Sequence, residues 1–220
     1  MMGRIKSFFA RLLRAETGVA MVEFAYSLPI VVPLFLGGAE LTNYAIIKMR
    51  VSQLALHVAD NGSRIGTDMV LSNPRISEMQ INDLLIGADL QSGTLDLAGR
   101  GRVILSSVEP MANPNSTDRY RIRWQRCHGA KVWPSSYGVQ GATDLVGVGP
   151  ADRQVTVPDN NGIMFVEIAY TYNALVSSMF VPATNIRATA AMVVRDARDY
   201  TGNGGTGVYN TEGATPSSCA

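Results

Sequence analysis

Residues that carry chemistry are scarce in this chain. Its 220 residues include two histidines and two cysteines, and only 17% are charged. No HExxH, GxSxG or P-loop pattern occurs. His57 falls beside the apolar stripe of a helical segment, and His128 follows Cys127 in a strand-like run. Neighbouring strand residues point to opposite faces, so Cys127 and His128 do not form a nucleophile pair. With no catalytic constellation and no cofactor motif, the chain is not read as an enzyme. Two cysteines are too few for a disulfide-scaffold fold and lack the spacing of a zinc site. In an extracytoplasmic domain one bridge between Cys127 and Cys219 is expected; in a reducing compartment both stay thiols.

Charge of one sign is also missing. The formal net charge of +1 gives no reason to expect nucleic-acid binding. Arg119, Arg121, Arg123 and Arg126 share one strand-like segment but lack aromatic interleaving on their face, so they read as a solvated strand surface. "GNGGTG" (Gly202, Gly204, Gly207) spells GxGxxG, yet the following "VYNTEGATPSSCA" is no helix to receive a pyrophosphate. The sequons at Asn61 and Asn115 match a pattern common by chance, and no internal repeat is visible.

Apolar residues are plentiful, at 46%, enough for one modest domain plus an anchor. Residues 24–39, "FAYSLPIVVPLFLGGA", carry no charge. Extended to Val19 and Leu41, the run would span about 35 Å as a helix, enough for a bilayer core of about 30 Å. Arg4, Lys6, Arg11 and Arg14 precede it, whereas Lys48 and Arg50 alone follow closely. That asymmetry keeps the N-terminus cytoplasmic and puts residues from about 45 onward outside. Glu23 within the run, and Glu40 directly after its small residues, argue against an ordinary cleaved signal peptide. Pro29 and Pro33 each lack an N–H and free a carbonyl four residues back, which predicts a helix kink.

Beyond the run, Leu41, Tyr44, Val51, Leu54, Ala55, Val58, Ala59, Gly62 and Ile65 recur at helical spacing, with Gly66 as a stop. A second, short helix is expected from Asn73 as N-cap and Pro74 at the first helical position, with Ile76, Met79, Ile81, Leu84, Leu85 and Ala88 on its apolar side. Segments 102–110, 119–127, 163–175 and 186–196 read as strands. In the second, Tyr120, Ile122, Trp124 and Arg126 form one face. In the third, Phe165, Glu167 and Ala169 oppose Val166, Ile168 and Tyr170. Helices followed by strands predict an α+β fold in which the long amphipathic helix covers an antiparallel sheet of about four strands. Residues 129–161, rich in Gly, Pro and Ser, form a long loop of the kind that is functional or mobile. Residues 201–220 read as a flexible Gly/Ser/Thr-rich tail.

The opening stretch "GVAMVEF", residues 18–24, follows a basic leader and resembles the processing site of type IV prepilins. The longer "GVAMVEFAYSLPIVVPLFLGGAEL", with its proline and second glutamate at Glu40, resembles the N-terminal signature of TadE/TadG-like pseudopilins of the Tad (tight adherence) pilus. "EMQINDLLIGA", "RGRVILSSVEP", "FVEIAYTY" and "IRATAAMVVRDARD" are similar to that group more loosely. The resemblance implies a leader at 1–18, a transmembrane helix at 19–41, a pilin-like α+β extracytoplasmic domain at 42–200 and the tail. It implies cleavage by a prepilin peptidase between Gly18 and Val19, leaving Glu23 and Phe24 as fifth and sixth residues. It further implies a minor pilin or pseudopilin in the bacterial inner membrane, with its domain periplasmic or carried into a surface pilus for adherence. Its partners would be other pilins, the Tad assembly machinery and the peptidase. The alternative is an uncleaved membrane-anchored domain that binds a ligand through 129–161. TadG-like relatives often keep their anchor uncut, so the sequence leaves both readings open.

Overall fold

The computed structural model describes residues 16–69, 72–195 and 197–219. The basic residues of the expected leader lie outside them, as do Asp196 of the fourth expected strand and the last residue of the tail. The elements run α1 (Glu16–Arg64), β1 (Thr67–Met69), β2 (Ser72–Arg75), α2 (Glu78–Ser92), α3 (Leu97–Arg100), β3 (Gly101–Pro110), β4 (Tyr120–His128), β5 (Ile163–Tyr172) and β6 (Thr184–Val193). β1 and β2 form a small antiparallel ladder. The other four strands make one antiparallel sheet in the order β4–β3–β5–β6. This is the α+β fold expected, with a long N-terminal helix packed on the sheet.

The chain divides into two compact units. One holds residues through Tyr44 together with Ala174–Pro182, and the other holds Ala45–Asn173 with Ala183–Ala220. In the second unit the sheet is covered on both faces. Val51, Leu54, Ala55, Val58 and Ala59 of α1 are buried, which is the predicted stripe from Val51 onward. Gly62 continues it. A Cβ there would lie 3.4 Å from Leu84, 3.5 Å from Met164 and 3.6 Å from Leu105, so the glycine sits where α1, α2 and the sheet meet. Leu41, assigned to the same stripe from sequence, is exposed instead. The Arg198 guanidinium donates to the carbonyls of Gly62 and Ser63, at 3.3 and 3.5 Å, closing the helix where its last carbonyls have no helical donor.

The opposite face is covered by residues 129–161. Tyr137, Ala142, Leu145, Val148, Val155 and Val157 pack with Val108, Tyr120, Ile122, Ile163 and Phe165. Two polar side chains hold this layer down. Glu167 accepts from the Ser135 hydroxyl and from the Ser136 amide at 2.9 Å. Gln125 donates to the Gly138 carbonyl at 3.1 Å and to Ser106 at 2.9 Å. The long loop is thus the second cover of the sheet. This explains why the central strands β3 and β5 are buried along nearly their whole length, where an uncovered face would alternate.

Two expectations are corrected. The second helix starts at Ser77, not Asn73. The Ser77 side chain accepts from the Gln80 amide while Gln80 reaches back to the Ser77 amide, a reciprocal cap that Asn73 does not match. Asn73 and Pro74 instead lie in β2, and Met79 is half exposed. In β4 the four residues assigned to one face are split. Ser107 pairs with Trp124 but Val108 with Ile122, so Arg123 is an extra residue in the strand. Such a bulge reverses which face follows, and Ile122 and Trp124 point to opposite sides. The tail from Thr201 has little regular structure, as expected, and backbone bonds fasten it to the domain. The Tyr209 amide donates to Ile76, the Glu78 amide to Tyr209, and the Cys127 amide to Ser217, all at 2.8–2.9 Å. The GxGxxG match is a tight turn in this tail. Gly202 has φ 65°, and a Cβ there would lie 2.3 Å from the Val208 amide.

Candidate functional site

Two regions hold the residues singled out from sequence. The first is the apolar part of α1. Among the described residues α1 runs from Glu16, and Gly18 and Val19 lie within it. Glu23 and Phe24 follow on an exposed surface with Val19, Met21 and Val22. Glu23 has no hydrogen-bond or ion-pair partner among the described residues. α1 passes through Pro29 and Pro33 without interruption. The helix is long and apolar enough to cross a membrane, with mean hydropathy 1.9 over its best window and none of that window buried.

Glu40 ends this run and is treated quite differently from Glu23. It is 0% exposed. Its two carboxylate oxygens accept the backbone N–H groups of Leu175 and Val176, at 3.0 and 2.6 Å. Both amides belong to the β5–β6 loop, in the same compact unit as the apolar helix. A buried carboxylate is costly unless hydrogen-bonded, and two charge-assisted bonds meet that requirement. One turn nearer the N-terminus, the Phe180 ring lies over Gly37, where a Cβ would come within 3.1 Å. Sequence reasoning extended the third strand to 175 and missed this loop. Its uncharged composition, "ALVSSMFVP", was the available signal.

The second region lies in the sheet unit. Cys127 and Cys219 are joined by a disulfide with Cα atoms 4.9 Å apart. Cys127 therefore offers no thiol beside His128. The row of arginines is paired rather than solvated. Arg126 makes a two-pronged ion pair with Glu78, one arm at 2.8 Å, and both partners are buried. Arg121 and Arg123 reach Glu109 at 3.3 and 3.1 Å. Glu109 lines a cleft of about 510 Å³ with both arginines, Arg198 and Tyr200. Burial pushes the Glu109 carboxyl above its ordinary value in spite of the two arginines. Desolvation drives the Tyr200 hydroxyl up to about 12. Arg121 and Arg123 thus already face an internal carboxylate, and among the described lining residues no nucleophile has an adjacent base. Among the described residues no group of three or more His, Cys, Asp or Glu could hold a metal ion.

Burial also pushes the Glu167 carboxyl up, against its bonds to Ser135 and Ser136. At pH between 4.5 and the raised value, the native state keeps a proton that the unfolded chain has released. Stability from this group is full below the ordinary value of 4.5 and is lost as pH rises through the raised value. Glu167→Gln is expected to gain on the wild type as pH rises from about 4 to about 7 in urea unfolding of the full chain in micelles. A difference that does not change with pH would contradict this.

No family model matches the chain, and no curated protein or solved structure matches it.

Proposed function

We propose that this chain is a TadE/TadG-like minor pilin or pseudopilin that takes part in assembling a Tad-type pilus. In this reading α1 is anchored in a bacterial inner membrane with its N-terminus cytoplasmic, and the sheet unit is periplasmic. A disulfide accords with an oxidising compartment. The observation that carries the reading is Glu23. It is a carboxylate on an apolar, exposed helix surface, without a partner in its own chain among the described residues. In hydrocarbon such a group costs several kcal/mol unless paired. Cleavage after Gly18 would create an ammonium at Val19 of a neighbouring subunit, which is a suitable partner. Packing in register joins the two charges, and misregister leaves both unpaired. The 510 Å³ cleft supports a second reading, an uncleaved anchored domain that binds a ligand.

The test is Glu23→Ala. Membrane insertion is expected to persist, because the change removes a charge from the apolar run. Recovery of the protein with sheared surface filaments is expected to fall at least about tenfold, the equivalent of about 1.4 kcal/mol per contact. Unchanged recovery would remove Glu23 from assembly.

A further inference from the structure

We infer that the β5–β6 loop, residues 174–182, is a second membrane contact that enters the lipid interface beside α1. The inference rests on the reading of α1 as a membrane helix. Leu175, Val176 and Met179 of this loop are 67%, 43% and 85% exposed, and no residue of "ALVSSMFVP" is charged. So much bare apolar surface on one short loop calls for an apolar neighbour.

Its depth is fixed by two contacts. Glu40 holds the loop's entry by the amides of Leu175 and Val176. Phe180 lies over Gly37, about one helical turn further into the uncharged run. If residues 19–41 span the bilayer, the loop stands at the edge of the hydrocarbon and not in water. Leu34, Phe35 and Leu41, on the helix either side of Gly37, are also exposed. The usual obstacle to taking a loop into lipid is its backbone N–H groups. Here those of Leu175 and Val176 go to Glu40, that of Met179 to the Ser177 hydroxyl and that of Phe180 to the Ser177 carbonyl, the last two at 3.2 Å. Glu40 is thus a positioning residue. Its charge, costly at this depth alone, accepts two amide N–H groups and sets where the loop lies.

Lipid, rather than another protein, is the occupant favoured by the loop's attachment to the apolar run at Gly37 and Glu40. Because Cys127 and Cys219 are bonded to each other, a single added cysteine can be labelled selectively. Met179→Cys, Phe35→Cys and Val132→Cys would each carry the NBD fluorophore in the full chain. The chains would be reconstituted into phosphatidylethanolamine–phosphatidylglycerol vesicles with nitroxide lipids. The expected result is blue-shifted emission at 179 with strong quenching by a shallow nitroxide, quenching by a deep nitroxide at 35, and neither at 132. Glu40→Ala is expected to reduce quenching at 179 at least about twofold while leaving site 35 unchanged. Site 179 behaving like 132 while 35 is quenched would overturn the proposal and leave the membrane reading intact. No quenching at 35 would overturn both. Blue-shifted emission at 179 without quenching, with crosslinks between copies, would assign the loop to a protein neighbour and also overturn it. Quenching at 179 unchanged in Glu40→Ala would remove the positioning role.

Discussion

Reducing the Cys127–Cys219 bond, or replacing Cys219 by Ser, is expected to lower the stability of the sheet unit by about 4–5 kcal/mol. The bond joins residues 92 apart in sequence. In the chain-entropy view, opening a loop that long releases the unfolded chain from a large constraint. The loss should be seen in the native state too, because the bond holds the tail against the end of β4. The Cys127 amide donates to Ser217, and Asn82 of α2 bonds both Thr215 and Ser217. Urea unfolding of the full chain in micelles, with and without reductant, measures the effect. A midpoint unmoved by reductant, with the thiols shown to be free, would contradict it.

Arg126→Met is expected to cost about 3–5 kcal/mol in the same assay, while Arg126→Met combined with Glu78→Leu recovers most of the loss. The asymmetry is the point. Arg126 and Glu78 are both buried, and the guanidinium also bonds the Gln125 carbonyl and the Gln140 side chain. Removing the cation leaves Glu78 as a buried, uncompensated charge. Its place in the first turn of α2 offsets only a part, since a helix N-terminus contributes about 0.3–1 kcal/mol. Removing both charges leaves a site that apolar side chains fill. A single variant as stable as the wild type, or a double variant worse than the single, would contradict this account.

These two sites differ in how far they could be read in advance. A bridge between Cys127 and Cys219 follows from there being two cysteines once an oxidising compartment is assumed. Arg126, in contrast, read as part of a solvated row, because its partner is 48 residues away and alternation alone does not show that α2 covers it. The four strands were legible because their segments are rich in β-branched and aromatic residues. The helical stripe from Val51 was legible because its period is local. What was not legible depended on distant partners. The loop at 129–161 has no periodicity, and its role as a cover rests on Glu167 and Gln125 in other segments. Glu40 binds amides 135 and 136 residues away. The bulge at Arg123 depends on the register of two strands, and one extra residue leaves no compositional mark. Ser77 and Gln80 did carry a readable capping signal, but Asn73–Pro74 offered a competing one upstream.

The claim on which the functional account turns is that α1 is a processed pilin helix. The most direct measurement is the mass of the N-terminus of the mature protein, from cells with and without a prepilin peptidase. The account predicts a chain beginning at Val19 only where the peptidase is present. A chain that retains Met1 in both would contradict processing, and would leave an anchored domain in which Glu23 has no subunit ammonium to meet.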